Sequence, residues 1–244
     1  MMRLHLSRLI VYSKSTNPAL QREVAERLAN EAVRSERQVQ IVELGGLDLL
    51  LPLTESKDPE VQRLAAHALA NLSVAAGNQA LIAEKGGIGM IVSLLERSGS
   101  EAVQRQAAKA LANLAVLSEN KRKIAQGGAL DPLIRLASGG KTPLKIECVA
   151  ALANLAVNDS NETEIGEKGG VEPIVELARK TDDPELLAQC ARALRNLSVQ
   201  EPNRDRIRAV GGAAVLLTMA KSDDRRIRQQ SKRALRNLGL DQSE

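Results

Sequence analysis

Ala66-His67-Ala68-Leu69-Ala70-Asn71-Leu72 is the stretch whose reading decides the fold. It returns as Ala108-Lys109-Ala110-Leu111-Ala112-Asn113-Leu114 and as Val149-Ala150-Ala151-Leu152-Ala153-Asn154-Leu155. Two later copies are Ala191-Arg192-Ala193-Leu194-Arg195-Asn196-Leu197 and Lys232-Arg233-Ala234-Leu235-Arg236-Asn237-Leu238. A looser first copy ends on Ala29-Asn30, and the six asparagines are spaced 41, 42, 41, 42 and 41 residues apart. Glycine pairs keep the same beat at Gly45-Gly46, Gly86-Gly87, Gly127-Gly128, Gly169-Gly170 and Gly211-Gly212. A unit of this length that recurs through the chain is the mark of a helical solenoid, in which each repeat buries its apolar face against its neighbours.

Composition fits that reading. Of the 244 residues, 43% are apolar, enough for a core, yet there is no Trp, no Phe and only one Tyr, Tyr12. The core must be built from Leu, Ile, Val and Ala. Cys148 and Cys190 each stand six residues before a repeat Asn, where other repeats carry Ala65, Ala107 and Ser231. They read as small core residues in a reducing compartment, not as a disulfide. No apolar run approaches the length of a membrane-spanning helix, and Met1-Met2-Arg3 fits neither a secretory signal nor a myristoylation motif. The expected setting is the cytoplasm, with the nucleus as the alternative.

Between each glycine pair and the next repeat Asn, apolar spacing predicts two helices. Gly87–Glu96 places Ile88, Ile91, Val92 and Leu95 on one face, and Ser100–Val116 does the same with Val103, Ala107, Ala110, Leu111 and Leu114. A shorter helix, such as Asn120–Gln126, fills the space before the next pair. The first glycine of a pair supplies a left-handed end to that helix, and the second permits close packing at the turn. Asn17-Pro18, Asp58-Pro59, Thr142-Pro143 and Asp183-Pro184 each place a capping side chain before a proline, predicting where the long helices begin. Pro132 and Pro173 fall in a first turn, whereas Pro52 lies deeper and predicts a helix that starts late or bends. Aligning Asn30 with Asn71 puts Leu4-His5 in the place of a glycine pair, so the first unit lacks its short helix.

The organisation expected is one domain over 1–244. It comprises a partial repeat (1–34), internal repeats (35–75, 76–117, 118–158, 159–200) and a last repeat with a polar tail (201–244).

Three helices per unit, a glycine pair before the second and Ala-Leu-x-Asn-Leu on the third resemble the armadillo repeat. The phrasing is most similar to the vacuolar-protein-8 and β-catenin type, and Gly86-Gly87-Ile88-Gly89 to the repeats of armadillo-bearing kinesins. The resemblance implies an all-α, right-handed solenoid whose third helices line a concave groove. There Asn30, Asn71, Asn113, Asn154, Asn196 and Asn237 would hydrogen-bond the backbone of an extended peptide. Importin-α, a family member, carries a Trp four residues before the groove Asn. Here Glu26, His67, Lys109, Ala150, Arg192 and Arg233 stand in that place, which argues against a nuclear-import receptor.

Residues four and eight before an Asn share its helical stripe. Eight before come Arg22, Arg63, Arg105, Ile146, Ala188 and Gln229; one before, alanine gives way to Arg195 and Arg236 in the last two repeats. The stripe thus gathers Arg22, Arg63, Arg105, Lys109, Arg192, Arg195, Arg233 and Arg236 against Glu26, with His67 as a possible extra, while the whole chain carries a formal net charge of only +4. Any one such charge is ordinary surface solvation. Eight at equivalent places are a pattern, interrupted midway by Ile146 and Ala150, and they suit an extended acidic segment with an apolar residue near its centre.

Other chemistry finds little support. His5 and His67 are the only histidines, and neither stands near a Cys or Ser in a catalytic arrangement. Two Cys and two His in separate units make no metal set, and the glycine pairs lack the context of a phosphate loop. No enzyme activity, cofactor or metal is expected. A basic solenoid can also hold single-stranded nucleic acid, but this face has no aromatic residue on which bases could stack. A third reading is a purely structural arm of a larger assembly. The expectation carried forward is a monomeric adapter for a protein partner.

Overall fold

A computed structural model describes Tyr12, Ser13, Ser15 and residues 17–240, and among these the chain is all helix with no strand. Contacts group the chain into two compact units that divide at Gly127 and Gly128. The first holds α1 (Pro18–Ala32), α2 (Ser35–Glu43), α3 (Gly46–Leu53), α4 (Pro59–Leu72), α5 (Ala76–Glu84), α6 (Gly87–Arg97), α7 (Glu101–Leu114) and α8 (Ser118–Gln126). The second holds α9 (Leu130–Gly139), α10 (Thr142–Leu155), α11 (Asp159–Glu167), α12 (Val171–Lys180), α13 (Pro184–Leu197), α14 (Glu201–Ala209), α15 (Gly212–Met219) and α16 (Arg225–Asn237). The places of Leu4-His5, and of the tail beyond Leu240, lie outside the described residues.

Within each unit the long third helices of successive repeats stack on one another: α1 on α4 and α4 on α7, then α10 on α13 and α13 on α16. Small residues make this possible. Ala65, Ala66, Ala68 and Leu69 of α4 are almost wholly buried, as are Ala107, Ala108, Ala110 and Leu111 of α7. Alanine lets helices approach closely, and the leucines fill the space between layers. Each fully buried Leu is worth about 2–3 kcal/mol. Cys148 and Cys190 sit fully buried with free thiols, as small core residues should.

The helix starts follow the capping chemistry at three of the four expected places. Asn17 Oδ1 accepts the Ala19 N–H, Asp58 Oδ1 that of Glu60 and Asp183 Oδ1 that of Leu186, at 2.8–2.9 Å. Thr142 is the exception. Pro143 stands one place nearer its repeat Asn than the other prolines do, and the helix keeps register with the Asn. Thr142 therefore falls inside α10 and Lys141 takes the cap without a side-chain bond. Asp224 caps α16 through the Arg226 N–H at 2.7 Å, with no proline to announce it.

Glycine geometry also departs once. Gly45, Gly86, Gly169 and Gly211 have φ of 73–85°, as the first members of their pairs should. In Gly127-Gly128 the second glycine takes the left-handed turn, with φ of 85° against −73° at Gly127. An isoleucine sets the register: Ile41, Ile82, Ile124, Ile165 and Ile207 each stand four places before the left-handed glycine. The close-packing role of the second glycine is seen at Gly87, where a Cβ would meet Ile82 Cγ2 at 2.6 Å. Pro52 does not delay its helix. α3 begins at Gly46 and ends at Leu53, one residue beyond the proline, so Pro52 withholds a single i→i−4 bond, that to the Asp48 carbonyl, in the last turn.

Candidate peptide-binding face

Two asparagine ladders run through the repeats. The first is the one the sequence singles out. In the first unit the Asn113 amide donates to the Ala70 carbonyl (2.9 Å) and the Ser73 hydroxyl (3.2 Å) of the preceding repeat. In the second, Asn196 donates to the Ala153 carbonyl at 2.7 Å, and Asn237 donates to the Arg195 carbonyl at 3.3 Å and the Ser198 hydroxyl at 3.0 Å. Asn71 faces His67 Nε2 at 3.1 Å within its own helix. Each carbonyl lies in the last turn of a helix, where intrahelical donors run out; those of Ala70 and Arg195 also accept the Ser73 and Ser198 hydroxyls at 2.8 Å. Asn30 and Asn237 are exposed, Asn71, Asn113 and Asn154 half-buried, and Asn196 buried.

The second ladder escapes a reading focused on helix faces. Asn78, Asn120, Asn161 and Asn203 lie in the first helices, seven places after a repeat Asn, and all are buried. Asn78 donates to the Gln38 and Leu72 carbonyls, both at 2.9 Å, and Asn120 to those of Gln79 and Leu114, both at 3.1 Å. Asn203 reaches the Glu162 carbonyl at 2.8 Å. Their own regular spacing was the signal available in the sequence.

The charge pattern differs between the units. In the first, Arg22 pairs with Asp58 at 2.6 Å and Arg63 with Glu60 at 2.6 Å, so Glu26 is not the only acid that meets the basic stripe. These acids sit at the cap and first turn of α4, where the helix dipole favours negative charge. Sequence spacing measured from the Asn did not bring them into view. Arg105 and Lys109 form no ion pair among the described residues. Burial, then the charges of Lys109 and Arg63, hold the His67 imidazole below its ordinary pKa. It is neutral at neutral pH and adds no charge to the stripe.

In the second unit, Ile146 and Ala150 are half-buried and carry no charge beside Asn154. Arg192 lies across the repeat boundary and donates to the Ala150 carbonyl at 3.2 Å; its Nε is buried with no partner, and burial lowers its pKa. Arg195 donates to Gln230 Oε1 at 3.3 Å. Each guanidinium has five N–H donors and spends one of them on these contacts. Arg233 and Arg236 are exposed on α16. Glu185, the acid whose charge acts on Arg192, is taken by Arg226 of α16 at 2.9 Å. Among the described residues no cluster of three or more metal-ligating side chains occurs, and no helix is long and apolar enough to cross a membrane.

Repeating three-helix units stacked through Ala- and Leu-rich third helices define an armadillo-type helical repeat protein. Comparison with known families agrees: an armadillo-like model matches residues 46–127, and the armadillo/β-catenin-like repeat matches 118–157 and 158–199. The chain belongs to the armadillo-repeat family. Among solved structures it is similar to an engineered protein at 33% identity and a TM-score of 0.88, covering 95% of each chain. A designed armadillo repeat protein aligns with a TM-score of 0.88 at 24% identity, over 95% of this chain and 98% of that one. Another, in complex with a (KR)4 peptide, aligns with a TM-score of 0.85 at 23% identity, over 95% and 98%. Comparison with curated proteins finds no match.

Proposed function

We propose that the protein is a non-enzymatic interaction module that holds an extended acidic segment of a partner protein against its Asn-bearing third helices. The observation that carries this reading is the run of Arg192, Arg195 and Arg233 beside Asn196 and Asn237, where Glu185, the acid whose charge acts on Arg192, is already paired with Arg226. Guanidinium forks match carboxylates in geometry and charge. The designed relative bound to (KR)4 indicates that this fold can seat a peptide, there a basic one. Here the side chains on offer are basic, so complementarity selects the opposite sign. Unit one offers a weaker version of the same face, because Arg22 and Arg63 already have acidic partners.

Single-stranded nucleic acid is the competing ligand, favoured by the same cations but given no aromatic platform on this face. The test is binding of fluorescein-labelled acidic peptides and of single-stranded RNA across a salt series. Wild-type protein would be compared with a variant carrying Arg→Glu at 192, 195, 233 and 236, and with Asn196→Ala/Asn237→Ala. The peptide reading requires acidic peptide to bind, and both variants to lose it. RNA binding that is tighter, steeply salt-dependent and indifferent to the Asn changes would overturn it.

A further inference from the structure

Eight large apolar side chains are exposed among the described residues, and six of them hold one place in the repeat: Val33, Val74, Val116, Val157, Val199 and Leu240. Each stands three residues after a repeat Asn, with Val116 64% and Val157 60% exposed. Local structure does not ask for them. Val33 has α-helical φ and ψ (−66°, −28°), and the N–H groups of Val74 and Val116 donate to the carbonyls of Asn71 and Asn113 at 3.2 Å. An exposed helical turn mildly disfavours β-branched residues, and these gain no burial in return.

Three residues on from an Asn falls in the turn just after each third helix, on the far side of the Asn from the residues four and eight before it. In the second unit Arg192 and Asn196 of α13 are followed by Val199 just beyond the end of the helix; Arg233 and Asn237 of α16 are followed by Leu240, past the left-handed Gly239. Asparagine lies between a cationic flank and an apolar flank. The first unit repeats the order in Lys109 and Asn113 of α7 and Val116 in the turn that follows.

An extended chain crossing the helices along the Asn row would send successive side chains alternately to the two flanks. We infer that the ligand is a segment in which acidic residues alternate with aliphatic ones, its carboxylates on the arginines and its aliphatic side chains on the Val199–Leu240 row. This rests on the acidic-peptide reading above and adds the requirement that sequence order, not just charge, decides binding.

The experiment uses the full chain and three labelled peptides: an Asp-Val repeat, an Asp-Ser repeat of equal length, and a peptide with the first one's composition arranged as an Asp block followed by a Val block. Val157→Ser/Val199→Ser is the test variant; both sites are exposed, so the fold should hold, as circular dichroism would verify. The Asp-Val repeat should bind roughly tenfold tighter than either control, and the double variant should erase that margin. If the Asp-Val and Asp-Ser repeats bind alike, and both are lost in the Arg→Glu variant, the apolar flank is overturned while the acidic reading stands. If no peptide responds to the Arg→Glu changes, both fall.

Discussion

The two asparagine ladders use the same residue at the same period, yet they do different work. Asn78 and Asn120 are buried in the first helices, and each spends its amide on two carbonyls of the repeat before, one in its first helix and one at the end of its third. Asn113, Asn196 and Asn237 also reach back one repeat, but their ladder runs from buried Asn196 to exposed Asn30 and Asn237. The buried ladder is a staple. The outer ladder is a weaker staple with acceptor oxygens left over for a ligand. Periodicity alone marks both, and depth separates them.

Substitutions grade the contrast. Asn78→Ala should have the largest effect: it removes two buried bonds, leaves the Leu72 carbonyl at the end of α4 without a donor, and should destabilise the protein by about 3 kcal/mol in denaturant unfolding. An effect below about 1 kcal/mol would erase the distinction drawn between the ladders. Asn196→Ala removes one short bond at a buried position and should cost about 1–2 kcal/mol, with loss of peptide binding as well. Asn237→Ala, exposed, should cost no more than about 1 kcal/mol in stability yet weaken peptide binding as much as Asn196→Ala does. Equal loss of stability and unequal loss of binding would reverse the assignment.

The smallest effect concerns Glu162, the buried neighbour of the inner ladder. Its Oε1 accepts the Gln200 N–H at 2.7 Å, and burial pushes its carboxyl above the ordinary glutamate range. In the window between the ordinary and the raised value, the unfolded chain ionises while the native chain keeps its proton. Stability therefore falls as pH rises through that window. Glu162→Gln keeps the acceptor and removes the titration, so its denaturation midpoint should be flatter with pH there and higher at neutral pH than that of the wild type.

Much of the fold was legible. The Asn and Gly-Gly periods fix the repeat, and the apolar spacings in Gly87–Arg97 and Glu101–Leu114 pick out side chains that are in fact buried. What was lost was lost at one-residue resolution. Thr142 and Gly127 each look like their counterparts in other repeats, but a proline one place nearer the Asn, and a glycine pair one place nearer the isoleucine, shift the roles by a residue. The site was less legible because its partners come from other helices. Asp58 and Glu60 stand far from Asn30 and Asn71 in register, yet they quench Arg22 and Arg63. The valine row was visible as spacing, and only exposure distinguishes it from core.

The two buried thiols give this molecule a clock. With a single Tyr and no Trp it offers almost no fluorescence of its own for following structural change. Burial pushes the Cys190 thiol up to about 12 and raises that of Cys148 as well, so neither reacts as thiolate while its repeat is closed. Labelling at each cysteine therefore reports the opening of one repeat, and the pair stand in adjacent layers. Equal rates would mean that α10 and α13 open together. Unequal rates would measure, in time, how independently one layer of the stack can come apart from the next.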